Sequence, residues 1–242
     1  MHKQQTIPRP LLIGHGSRHP ATADAGQRFA QQVSRLLGQD VYLGWLDYCA
    51  PPISDLLAAM KAQEIGALAI QPLMLTPASH VSDDIPNALQ SYSGQVHIAP
   101  PLGGPELLHT LLYDYAAAAL NDFASAPTIF LIARDSHGPA FKETATALAA
   151  LLEQSLTCPV AVGYVGATDQ GWADCLDALP PGPVLALPTL LFAGKLWDQI
   201  AARLSDRPAQ TAIMPPLTED PRLAQTVAQR IRDLQASAAR DC

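Results

Sequence analysis

Residues 11–21, LLIGHGSRHPA, return at 130–140 as FLIARDSHGPA, with Ser17 over Ser136 and Pro20 over Pro139. The same displacement lays VYLGWLD, 41–47, on VAVGYVG, 160–166, matching a valine, a glycine and an aromatic at equal offsets. Farther along, QPLML around Pro72 meets LPTLL around Pro188, HVSDDI meets KLWDQI, and APPLGGPELL meets MPPLTEDPRLA, with small adjustments in the connections. A chain that repeats itself at this length folds as two copies of one unit. The aligned proline and glycine positions fall in loops, so the match exceeds what any two strand–helix units share. Two tandem domains are expected, 1–124 and 125–242, with the boundary near 124–127.

Within the first repeat, an apolar run ending at Gly14 precedes HGSRHP and a helical pattern from about Thr22 to Leu37. VYLGWLD then leads to a helix near 52–61, ALAIQPLML to one near 83–92, and QVHIAP to one over 105–122. Strands apolar at nearly every position, alternating with helices, predict an α/β fold of the flavodoxin-like kind: a parallel sheet with helices on both faces. In the strand order 2-1-3-4, winding reverses between strands 1 and 3, and ligands bind beyond the strands' carboxyl ends at such a point.

His15 closes strand 1, Asp47 closes strand 2, and His80 lies in the loop after strand 3. Neighbouring strands are ~4.8 Å apart, so the three converge. Two imidazoles and a carboxylate without thiolate suit a first-row divalent cation such as Fe, Co, Ni or Zn and leave positions open for a substrate. Either imidazole can also take a proton near neutrality. Singly, each has a structural alternative as a hydrogen-bonded strand-end residue. Gly16, Ser17 and Arg18 enter the first helix, whose free N–H groups favour anions; Ser17 could equally be a helix-entry hydrogen bonder. Asp83 and Asp84 are read as carboxylates at a helix start.

Composition narrows the partners. A net charge of -7, with 15 Lys+Arg and no basic run, argues against nucleic acid, and an anionic ligand would need a local cationic pocket. No stretch reaches the ~20 apolar residues a membrane helix needs, and no secretory signal is read at the N-terminus, so a cytoplasmic protein is expected. Cys49, Cys158, Cys175 and Cys242 have no metal or disulfide spacing and are expected to be reduced.

Taken together, LLIGHGSRHP, the carboxylate closing LGWLD, PLMLTPASHVSDDIP and PPLGGPELL resemble the signatures of class II tetrapyrrole chelatases, the sirohydrochlorin cobaltochelatases and ferrochelatases. The resemblance covers essentially the whole chain. It implies ATP-independent insertion of Co²⁺ or Fe²⁺ into sirohydrochlorin, on the way to cobalamin or siroheme, with no organic cofactor. It makes His15 and His80 the catalytic, metal-handling pair and Asp47 a further metal ligand. Asp47 stands where the family usually has Glu, and Ala78 where its loop normally has Gly.

In the second repeat Arg134 replaces His15, Gly166 replaces Asp47 and Lys195 replaces His80. That repeat has lost the metal site and gained two cations. Under the resemblance these bind carboxylates of the macrocycle in a cleft between the domains; alternatively Arg134 pairs with Asp135 and Lys195 is solvated. Two fused repeats imply a monomer with an internal pseudo-twofold, or a weak dimer. A rival reading is a non-catalytic metal or tetrapyrrole carrier using the same residues. A histidine phosphatase would need Arg directly before the strand-end His, where Gly14 stands.

Overall fold

The computed structural model describes residues 7–76, 80–134, 139–165 and 171–240; for His80, Arg134 and residues 139–141 it describes the backbone alone. It contains eight strands and eight α-helices among these residues. The first sheet holds β1 (Arg9–Gly14), β2 (Tyr42–Trp45), β3 (Ala67–Leu73) and β4 (Gln95–Ile98) in the order β2-β1-β3-β4, all parallel. The second holds β5 (Thr128–Arg134), β6 (Val160–Val165), β7 (Val184–Pro188) and β8 (Thr211–Ile213) in the corresponding order β6-β5-β7-β8. The expected strand order is therefore present twice.

Registers repeat as well. Gly14 pairs with Trp45 as Ala133 pairs with Tyr164, and Ile13 faces Pro72 as Ile132 faces Pro188. Leu11, Leu12, Ile13, Leu68, Ala69 and Ile70 are wholly buried, as a parallel strand covered on both faces must be.

Between the strands lie α1 (Pro20–Leu37), α2 (Ile53–Ala62), α3 (Ile85–Leu89), α4 (Pro105–Ala119), α5 (Pro139–Leu156), α6 (Gly171–Asp177), α7 (Lys195–Ser205) and α8 (Pro221–Arg240). Helix α1 starts two residues earlier than the apolar pattern suggests, because Pro20 has the fixed φ that suits a first helical position. Before α3 the chain already winds through a wide helical turn, His80–Asp84. Asp84 thus sits inside a continuous helical segment and makes no side-chain cap to α3. Asp83 stands in the first turn of the segment that begins at His80, where a carboxylate complements the helix dipole as expected.

The compact units are not the two sequence repeats. One comprises residues 1–103 with 218–242, the other 104–217. The domain ranges 1–124 and 125–242 differ from these by an exchange of the helices that follow the fourth strand of each sheet. Helix α8 packs on α1, β3 and β4, whereas α4 packs on α5 and β7. Sequence alignment pairs α4 with α8 but is blind to which sheet each covers. Leu223, Ala224, Val227, Ala228 and Ile231 of α8 are fully buried. Polar ties add to this seat: the Arg230 guanidinium donates to the Pro100 and Pro101 carbonyls at 3.0 and 3.1 Å, and Gln235 donates to Pro8 O at 2.8 Å.

No helix among the described residues is long and apolar enough to cross a membrane. Cys49, Cys158 and Cys175 are free thiols, as expected; Cys242 lies outside the described residues.

Candidate metal-handling site

The ladder between β1 and β2 does not stop at the last paired residues. Leu46 N–H donates to Gly14 O at 2.9 Å and Asp47 N–H to His15 O at 2.8 Å, so the backbone carries the two side chains out together at the carboxyl end of the sheet. His15 Nε2 lies 3.9 Å from Asp47 Oδ2, with side-chain exposures of 36% and 59%. The other ring nitrogen, Nδ1, is 3.1 Å from Gly16 O. A carbonyl only accepts, so Nδ1 donates in this contact, and Nε2 is the ring nitrogen that faces the carboxylate.

Two metal–ligand bonds of ~2.0–2.2 Å span up to about 4.3 Å between donor atoms. The 3.9 Å separation is within that span, so the distance between His15 and Asp47 suits one divalent ion. The shorter carboxylate is no obstacle to that. Among the described residues no group of three or more His, Cys, Asp or Glu side chains converges. His80 opens the helical turn that follows β3, but its side chain lies outside the described residues, as does Ala78.

The loop carrying His15 is held from three sides. Trp45, 1% exposed, fills the space above β1 and α1; a Cβ on Gly14 would come within 2.4 Å of its ring. Gly16 has φ +94, and a Cβ there would stand 1.8 Å from Asp47 O. No other residue fits that approach. Next to it, the Cys49 sulfur lies 3.5 Å from Ser17 N and 3.4 Å from Ser17 O, joining the two loops.

Of the expected anion-binding group, Ser17 Oγ accepts His19 N–H at 3.1 Å, so its hydroxyl serves the entry to α1, and the Ser17 N–H points at the Cys49 sulfur. Arg18 does not turn into the loop. Its guanidinium carbon sits 4.9 Å above the centre of the Tyr48 ring.

Sequence reasoning passed over Tyr48. It forms the apex of a three-residue turn in which Cys49 N–H donates to Asp47 O at 2.6 Å, with φ 58 at Tyr48. Such a backbone costs on the order of 1–3 kcal/mol. Burying the ~200 Å² Trp45 side chain at ~25 cal/mol per Å² contributes roughly 5 kcal/mol, so the anchored flank outweighs the strained tip. The readable signal was position, since Tyr48 directly follows the carboxylate closing β2.

In the other unit, Lys195 is the exposed first residue of α7. Arg134 ends β5, and its side chain, with Asp135 and Gly166, lies outside the described residues. Trp197, which follows Lys195, spends its indole N–H on Met214 O at 3.1 Å.

The CbiX family model matches the chain twice, over residues 10–119 and 128–234. Sirohydrochlorin ferrochelatase from Priestia megaterium is 26% identical over 219 residues, covering 84% of this chain and 82% of that protein. Sirohydrochlorin cobaltochelatase from Saccharolobus islandicus (strain L.S.2.15 / Lassen #1) is 30% identical over 113 residues, 42% of this chain and 88% of that protein. Among solved structures, SirB from Bacillus subtilis with Fe³⁺ superposes with a TM-score of 0.76 at 21% identity, covering 96% of this chain and 97% of that one. CbiX, the terminal enzyme for biosynthesis of siroheme in denitrifying bacteria, gives a TM-score of 0.69 at 22% identity, covering 93% and 98%. Matched by the family model over nearly its whole length, and in both repeats, the chain belongs to the CbiX family.

Proposed function

We propose that this protein inserts a divalent ion, cobalt or iron, into sirohydrochlorin without ATP. The observation that carries this reading is the His15–Asp47 pair: an imidazole nitrogen and a carboxylate held 3.9 Å apart at the carboxyl ends of adjacent strands in a chelatase-family fold. The ion arrives on His15 and Asp47, with His80 entering as the second imidazole. As the ion bonds to the macrocycle's nitrogens, two pyrrolic N–H protons leave, and an imidazole or carboxylate at the ion's side accepts them in turn and passes them to water. Charge balances, because one divalent ion replaces two protons. Gly16 and Ser17 shape the rim of this position. Arg18, Arg134 and Lys195 supply cations for the macrocycle's carboxylates, which an acidic chain must otherwise repel. A cytoplasmic enzyme fits free thiols at Cys49, Cys158 and Cys175.

Anaerobic mixing of the purified chain with sirohydrochlorin and each ion in turn tests this through the absorption change on metallation. Many ions inserted per protein, faster than the uncatalysed reaction, is the expected result. A change that stops at one equivalent of protein would instead identify a carrier.

A further inference from the structure

We infer that Tyr48 is a positioning residue: its ring holds the Arg18 guanidinium beside His15, and the pair forms a docking point for one acidic side chain of the macrocycle. This rests on the metal-insertion reading above. Three described non-glycine residues have positive φ: Tyr48, Glu64 and Thr157. Glu64 and Thr157 terminate α2 and α5, where a left-handed residue is the ordinary way to stop a helix. Tyr48 ends no helix, so its strained backbone has no such local explanation. Nor does burial explain it, since Tyr48 is 59% exposed.

What the strained turn achieves is placement. The Tyr48 ring centre lies 6.2 Å from that of His15, tilted by 43°, and Arg18 rides on its face. Asp47 O against Gly16 and the Cys49 sulfur against Ser17 keep the turn from relaxing. Among the described residues no carboxylate pairs with Arg18, and Asp47, which precedes Tyr48, has its carboxylate 3.9 Å from His15 Nε2. A guanidinium held over an aromatic face still has N–H donors to offer a planar carboxylate and loses less freedom on binding one. A carboxylate captured there tethers the macrocycle next to the imidazole that handles the ion. One edge of an anionic ring system is thereby registered over the site.

The test measures sirohydrochlorin binding without metal, and KM and kcat for metallation, in this chain and four variants. Arg18→Ala should weaken binding and raise KM by roughly tenfold or more, as for the loss of a charge-assisted hydrogen bond. Tyr48→Gly accepts the positive φ and removes only the ring; it should raise KM by about two- to fivefold, with kcat held. Tyr48→Phe should restore the wild-type KM. In the double variant Tyr48→Gly adds nothing to Arg18→Ala, because the ring acts through the guanidinium. Circular dichroism verifies the fold of each. Equal effects of Tyr48→Gly with and without Arg18, or a fall in kcat at constant KM, would overturn the positioning role while leaving metal insertion standing. A wild-type chain that neither binds nor metallates sirohydrochlorin would overturn both.

Discussion

At the scale of single residues, the backbone ladder itself brings an imidazole and a carboxylate together. The Asp47 N–H bond to His15 O fixes the pair before any ion is present. His15→Ala and His80→Ala should each lower the rate of metallation roughly a hundredfold or more, as expected for removing a group that ligates the ion and takes a proton, with the far-ultraviolet spectrum unchanged. Asp47→Ala should cost less, about tenfold, because an exposed carboxylate ligand is more readily replaced by water, and the loss should fall on KM for the metal. Rates near wild type in both histidine variants would rule out the site. His15 and Asp47 were legible because strand ends at a winding reversal can be located from apolar runs and loop prolines alone. Tyr48 was not legible in this way, since nothing about a tyrosine announces a φ of 58.

At the scale of elements, the entry to α8 shows how local chemistry holds a long-range contact. Asp220 precedes Pro221, the first residue of the helix, and accepts the Arg222 backbone N–H at 2.9 Å while the Arg222 guanidinium grips the same carboxylate at 2.6 and 3.0 Å. Burial pushes the Asp220 carboxyl up, but the hydrogen bonds and charge of Arg222 outweigh it and hold it below its ordinary value. A carboxyl depressed in the folded state stabilises above the unfolded pKa, and that contribution is lost as pH falls through the folded one. Asp220→Ala should therefore reduce stability by about 1 kcal/mol at neutral pH, with the gap to wild type closing on acidification below about pH 4. Urea unfolding of both proteins at neutral and acid pH checks this, and a gap that persists in acid would contradict it. The helix was implied only by the match of MPPLTEDPRLA to APPLGGPELL, the segment that opens α4. Its partner was not, because Leu223, Val227 and Ile231 specify an apolar surface without specifying which sheet they cover.

At the scale of the whole molecule, that ambiguity has a mechanical consequence. Residues 1–124 form one sequence repeat, yet the unit built on the first sheet is completed by residues 218–242. Cutting the chain after residue 124 uncovers the surface under Leu223, Ala224, Val227, Ala228 and Ile231. With apolar side chains contributing roughly 1.5–3 kcal/mol each for the larger ones, the loss rivals the ~5–15 kcal/mol that holds a typical domain folded. The fragment also retains α4, whose buried residues Leu108, Leu111, Leu112 and Ala116 are left without α5 and β7. Since α4 and α8 follow equivalent strands in the two repeats, α4 of one fragment carries the apolar face that can cover the vacated surface of another. Fragment 1–124 should therefore sediment as a concentration-dependent dimer, and a peptide of residues 218–242 should compete with that association and shift it toward a one-to-one complex. Analytical ultracentrifugation with and without the peptide decides the matter: a monomer that unfolds cooperatively on its own would mean that the first sheet does not need α8 for its stability.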